Sequence, residues 1–163
     1  MTATLHILVG KIASGKSTLA AELAQAPATV VLSEDEWLAA LYGPEMRSIE
    51  DFVRNSRRLR SVMGPHILRL LHSGVSVVLD FQANTLPARA WMKGLVDDAG
   101  VAHLLHYLDV PDDICRARMH ARNASGDHPF APNDAQFDAI TRHFVAPKPE
   151  EGFDIKTYKG NWD

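Results

Sequence analysis

The chain has 163 residues, 46% hydrophobic and 23% charged, with a formal net charge of −3; that is enough for one domain with a core and too short for two ordinary ones. Its pI of about 6.2 argues against broad nonspecific nucleic-acid binding, although a local basic groove stays open. One cysteine, Cys115, excludes an internal disulfide framework, and no apolar run approaches the roughly 18 residues of a membrane span, so a soluble cytoplasmic protein is expected.

In chain order, Leu5–Val9 is a short apolar run predicted as the first strand, and a helix is predicted from Lys16 to about Ala24. The apolar start is not read as a signal peptide, because it runs straight into a glycine-containing loop. Thr29–Leu32 is a second short strand. Ser33 and Glu36 then have capping-box spacing at the head of a helix that Gly43-Pro44 ends. Apolar residues recur at helical spacing from Ile49 to about His72, with a kink or break expected at Gly64-Pro65 and a stop at Gly74.

Val75–Leu79 is a continuous β-branched run, the pattern of a strand buried on both faces. A helix over residues 87–99 is stopped by Gly100, and the next strand runs from Val101 to about Leu108. Pro111 opens a helix to about Asn123. Residues 123–133, with Ser-Gly and two prolines, predict a mobile surface loop. Ala135–Phe144 is the last helix, and a short strand is expected near Phe153–Tyr158. Strands alternating with helices imply a parallel sheet covered on both faces, with its ligand at the carboxyl ends of the strands. Gly10, Ser33 and Asp80 all fall there.

Gly10-Lys11-Ile12-Ala13-Ser14-Gly15-Lys16-Ser17 fits G-x-x-x-x-G-K-[ST], between a predicted strand and a predicted helix. Glycines let the backbone approach a phosphate closely, and the N–H groups converge on the anion at a helix start. This assigns Gly10, Ala13, Ser14, Gly15, Lys16, Ser17 and Thr18 to nucleotide binding. Lys16 is placed to reach the β- and γ-phosphates and the Ser17 hydroxyl to ligate Mg²⁺. ATP and Mg²⁺ are the expected ligands.

The loop alone does not separate switch, motor and kinase. The Asn-Lys-x-Asp element that reads guanine is absent, and Asp97-Asp98-Ala99-Gly100 lies at a helix end where a D-x-x-G switch does not belong. Asp80 ends the buried run and is a candidate for holding Mg²⁺ through water. Asp35 is a candidate acid on the acceptor side; a first-turn residue favouring the helix dipole is the plainer alternative, which Glu34 and Glu36 also fit. Arg118 and Arg122, four apart on one helix face, could clamp phosphate oxygens. Arg116 points elsewhere. Arg54, Arg57, Arg58 and Arg60 read more readily as a solvated helix face than as an acceptor guide. Trp37 reads equally as an acceptor-pocket wall or a core anchor, and Asn84 as a substrate contact or a turn residue. Cys115 reads as buried.

Gly10–Ser17, Ser33-Glu34-Asp35, Asp80 with Asn84, and Arg118 with Arg122 occur in that order along the chain. In this it resembles small P-loop kinases of the AAA-type ATPase class, grouped around polynucleotide 5′-hydroxyl kinase, chloramphenicol phosphotransferase and zeta toxin. Glu151-Gly152-Phe153 is similar to the closing segment of that group. Phe81-Gln82-Ala83-Asn84 departs from the Asp-x-Thr-Asn pattern common there. The resemblance implies one domain over residues 1–163, an α/β three-layer P-loop NTPase fold. Its five-stranded parallel sheet would have the order 2-3-1-4-5, helices on both faces and a small lid at about 122–134.

The resemblance further implies an ATP-dependent phosphotransferase acting on a hydroxyl. Lys16, Arg118 and Arg122 would stabilise the transferring group, Asp35 would handle the acceptor hydroxyl, Ser17 and Asp80 would hold the metal, and Trp37 and Asn84 would touch the acceptor. The expected acceptor is a small molecule rather than a nucleic-acid 5′-hydroxyl, with no membrane partner and a monomer or homodimer as the assembly. A nucleotide-binding regulatory module without productive transfer is the alternative.

Overall fold

Five segments form parallel strands in the order β2-β3-β1-β4-β5. They are β1 (Thr4–Val9), β2 (Thr29–Ser33), β3 (Ser76–Asp80), β4 (Ala102–Asp109) and β5 (Ile155–Lys159). The computed structural model describes residues 2–126 and 131–159. The helices are α1 (Lys16–Leu23), α2 (Glu34–Tyr42), α3 (Ile49–His72), α4 (Leu86–Ala99), α5 (Asp112–Ser125) and α6 (Asp134–Thr141). This is the sheet order and layering of a P-loop NTPase.

Alternation along the strands divides the core in two. Leu5, Ile7, Val77 and Leu79 pack with Leu59, Met63 and Ile67 of α3 and Met92 and Leu95 of α4. Leu8 and Val78 face the opposite way, toward Leu19 of α1, Cys115 and Met119 of α5, and Phe137 of α6. Cys115 is fully buried, as expected, and that burial raises its pKa.

The helices differ from expectation in three places, one being α6, which ends at Thr141 rather than Phe144. The α3 helix runs unbroken through Gly64-Pro65. Pro65 cannot donate to the Ser61 carbonyl, but both residues are exposed, so water can take that acceptor. Gly64 is buried, with Leu95 and Trp91 of α4 packed against the site a Cβ would fill. The α5 helix continues two residues past Asn123 and ends at Gly126, whose φ is 71°. Arg122 is therefore helical, while residues 127–130 of the expected lid lie outside the described residues.

The sheet also holds an imidazole pair, with His106 buried and His6 half-buried. His6 Nδ1 lies 2.9 Å from His106 Nε2, and His106 Nδ1 lies 2.8 Å from the Tyr158 hydroxyl. Burial, then His6, then Lys156 push the His106 pKa down to about 4. An unfolded histidine titrates near 6.5. The unfolded chain therefore takes up the proton first, and stability is full above pH about 6.5 and lost as pH falls toward about 4. Urea midpoints should drop between pH 7 and pH 5, and His106→Gln should shrink the drop. Equal wild-type midpoints at both pH values would contradict this.

Candidate functional site

The carboxyl ends of β1, β2 and β3 meet at one edge of the sheet, and Ser33 pairs directly with Asp80 in the β2–β3 register. The chain leaves β1 through Gly10, where a Cβ would stand 2.3 Å from Ser14 Oγ, so any larger residue would force the Ser14 hydroxyl to move. Ala13 and Gly15 both take positive φ, 61° and 104°. The Ser14 N–H donates to the Lys11 carbonyl at 3.1 Å, closing the turn. Side chains cap the N-termini of α2, α3, α4 and α6, whereas Gly15 of α1 and Pro111 of α5 offer none. Ser14 is 1% exposed, yet its hydroxyl has no partner. An uncapped helix start, two left-handed residues and an orphaned buried hydroxyl fit a bound anion.

The two lysines of the loop differ in employment. Lys11 donates to the Val110 carbonyl and to Asp112, and lies 5.5 Å from the centroid of Phe144. It braces the loop against the start of α5 and was not singled out from the sequence. Lys16 faces the site. Desolvation lowers its pKa, while Asp80, Asp35 and Glu34 raise it and Arg122 lowers it. These five groups therefore share one electrostatic neighbourhood.

Asp80 shows the same convergence from the acid side. Burial raises its pKa, Lys16 opposes, and Asp35, Glu36 and Glu34 add to the rise. A divalent cation beside Asp80 would relieve that crowding. Among the described residues no cluster of three or more His, Cys, Asp or Glu could hold a metal. Magnesium suits such a place, because it takes one or two protein ligands and completes its shell with waters and phosphate oxygens. Asp80 has the chemistry for one such ligand, and Ser17, the second residue of α1, carries the hydroxyl expected as the other.

The α2 helix starts as its sequence suggests, with Ser33 Oγ accepting from the Glu36 N–H at 3.4 Å. No return bond from Glu36 completes a capping box; Glu36 and Asp35 are both exposed. Glu34 departs from the reading as a dipole-favouring acid. It is 2% exposed and accepts from Ser56 Oγ at 2.6 Å, Arg60 Nε at 3.3 Å and the Gln82 N–H at 3.1 Å. Arg60 accordingly leaves the solvated basic face to which it was assigned. Ser56 and Arg60, four apart on α3, were the available sequence signal.

Arg118 Nη1 donates to the Ser14 carbonyl at 3.5 Å, which seats that helix face on the loop. Arg122, one turn on, has a buried Nε without a partner and a pKa lowered by burial. Arg116 instead pairs with Asp134 and Asp138 and lies over the Phe137 ring, bracing α6. Asn84 accepts the Gly10 N–H on its side-chain oxygen at 3.2 Å, and its carbonyl takes the Val145 N–H at 2.8 Å. It holds the loop, which favours the turn-residue alternative over a substrate contact. Trp37 is 39% exposed and is not a core anchor.

A family model for an AAA domain matches residues 5–147. No curated protein matches the sequence. Among solved structures, the chain is similar to a candidate kinase from Chloroflexus aurantiacus, at 22% identity over 96% of this chain and 85% of that one, with a TM-score of 0.71. Chaetomium thermophilum Kti12 in complex with ADP-AlF3 aligns at 16% identity over 94% and 88%, TM-score 0.69. The Mycobacterium tuberculosis APS kinase CysC, in complex with AMPPNP and APS, aligns at 23% identity over 96% and 88%, TM-score 0.62. At these identities the likeness concerns the fold.

Proposed function

Since the chain belongs to the AAA domain family, we propose that it is an ATP-dependent phosphotransferase that moves the γ-phosphoryl group of ATP to a hydroxyl of a small molecule. The observation that carries this reading is the grouping of Lys16, Asp35, Asp80 and Arg122 in one electrostatic neighbourhood beside the uncapped start of α1. A regulatory nucleotide sensor needs the loop but has no use for an acceptor-side acid. The solved APS kinase, with AMPPNP and APS, lends support from the same fold.

In this reading the backbone from Gly10 to Ser17 cradles the phosphates. Mg²⁺ held by Ser17 and Asp80 would supply positive charge to the phosphate oxygens. Asp35 accepts the proton of the attacking hydroxyl. The hydroxyl oxygen bonds to the γ-phosphorus as the bond to the bridging β–γ oxygen breaks, and ADP leaves with that electron pair. Lys16, Arg118 and Arg122 hold the charge that builds during transfer. Two of the four arginines in the α3 basic cluster are already paired, Arg54 with Asp51 and Arg60 with Glu34, which favours a small acceptor over nucleic acid.

The test is a mass-spectrometric screen for a gain of one phosphate when the protein meets ATP, Mg²⁺ and a pool of metabolites, antibiotics and short oligonucleotides. A phosphorylated small molecule is expected, with Lys16→Ala abolishing the product. Tight ATP binding with no product across the pool would sink the kinase reading and favour the regulatory module. A product found only on oligonucleotides would overturn the small-molecule assignment.

A further inference from the structure

Glu34, buried, and Arg60, partly buried, form an ion pair at a junction between three segments. Glu34 is the first residue of α2, immediately before Asp35. Arg60 comes from the second half of α3's exposed basic run, yet its side chain is only 18% exposed. Between them they grip both backbone groups of Gln82: its N–H donates to Glu34 Oε1 at 3.1 Å, and its carbonyl accepts from Arg60 Nη2 at 3.2 Å. The guanidinium lies 5.0 Å from the Trp91 ring and 5.8 Å from the Phe81 ring, and those two rings stack at 5.8 Å. The two rings cover part of the guanidinium and favour one orientation of Arg60.

Gln82 stands midway between Asp80 and Asn84. Asn84 in turn holds the Gly10 N–H. Two hydrogen bonds, joined by the short stretch of chain from Gln82 to Asn84, thus connect the residue before Asp35 to the first glycine of the phosphate loop. A buried ion pair is not the cheapest way to stabilise a core, since apolar residues of similar volume often do as well or better. What this pair adds is a fixed distance between α2 and the segment after β3.

We propose that Glu34 and Arg60 are positioning residues: they set Asp35, on the acceptor side, against Asp80 and the phosphate loop, on the donor side. Neither touches the reacting atoms. This rests on the phosphotransferase reading, in which Asp35 faces the acceptor hydroxyl. Misplacing a reacting group by about 1 Å can cost on the order of 100-fold in rate, so a loosened strut acts on kcat and leaves nucleotide binding in place.

The experiment uses the full chain with two conservative variants, Glu34→Gln and Arg60→Lys. Gln keeps an acceptor for the Gln82 N–H but loses the ion pair. Lys keeps the charge but cannot span Glu34 and the Gln82 carbonyl together. Transfer is followed as ADP formation from Mg·ATP, with water as the acceptor hydroxyl, and with any acceptor that the screen yields. Each variant should lower kcat by roughly 10- to 100-fold, with KM for ATP within about twofold and melting still above the assay temperature. The same substitutions are then made in an Asp35→Ala background, where they should cost nothing further, because groups that act through one residue are not additive. Hydrogen exchange should quicken at the Gln82 N–H and in the first turn of α2, whichever acceptor is used.

If the penalties multiply in the Asp35→Ala background, or if KM for ATP rises in step with the fall in kcat, the pair is a general stabiliser and the inference fails. Unchanged exchange at Gln82 also overturns it. If the wild-type protein forms no ADP under any condition, it is the phosphotransferase reading that fails, and the exchange measurement alone then decides whether the strut exists.

Discussion

Asp35→Ala lowers phosphoryl transfer by about 10²- to 10⁴-fold, the usual contribution of a positioned proton acceptor, while ATP affinity stays within about twofold. The separation follows from where Asp35 stands. It is in the exposed first turn of α2, outside the Gly10–Ser17 backbone that would hold phosphate. Its influence on Lys16 is electrostatic and shared with Asp80 and Glu34, so the lysine keeps two carboxylate neighbours when Asp35 is lost. Calorimetric titration with a non-hydrolysable ATP analogue measures binding, and single-turnover ADP formation measures transfer. Asp35→Asn should resemble Asp35→Ala, because the amide has the shape but cannot take a proton. Normal transfer by Asp35→Ala would remove this residue from the mechanism, and a parallel loss of ATP binding would make it part of the donor site.

Much of the fold was legible because local signals agreed with one another. The β-branched run at Val75–Leu79 reads as a buried strand, which forms over Ser76–Asp80, and the helix stops at Gly74 and Gly100 lie where positive φ was needed. The phosphate loop was legible for the same reason, since its spacing encodes a backbone shape. Glu34 was misread because the first turn of α2 holds three adjacent carboxylates that sequence treats alike. Their fates diverge only when α3 brings Ser56 and Arg60 against one of them. Asn84 was ambiguous for a related reason: its partner, Gly10, is 74 positions away. Pro65 gave the signal of a break that α3 does not show; the Ser61 carbonyl it leaves without a donor lies at an exposed residue. Pairings across the sheet, such as His6 with His106 at a separation of 100 residues, leave no local trace.

Arg89 illustrates the same blindness with the largest consequence for stability. It is 0% exposed and makes a fork to Glu151, Nε to Oε1 at 2.6 Å and Nη2 to Oε2 at 3.1 Å. Nη1 donates to the Ala83 carbonyl at 2.9 Å. The pair therefore ties the turn before β5 to the residue next to Asn84, which holds the phosphate loop. Removing one partner of a buried ion pair costs about 3–5 kcal/mol. For a chain of this length, Arg89→Met should then lower the melting temperature by roughly 10 °C. ATP affinity should fall with it, unlike in Asp35→Ala, because the Ala83–Asn84 segment loses its anchor.

The acid limb of stability carries the same signature. Burial alone would raise the Glu151 pKa, but the bonds from Arg89 and the Lys148 N–H outweigh it and leave it below the ordinary value. A depressed carboxylate contributes stability that is present above the unfolded pKa, near 4.5, and lost as pH falls through the folded value. Arg89→Met should shrink that part of the acid dependence, leaving only what the Lys148 N–H and charge contribute. Arg89→Met with Glu151→Met should recover most of the lost stability, since an apolar pair of similar volume can replace a buried ion pair. If calorimetry shows the double variant as unstable as the single, the fork itself, rather than the unpaired Glu151, holds the turn in place.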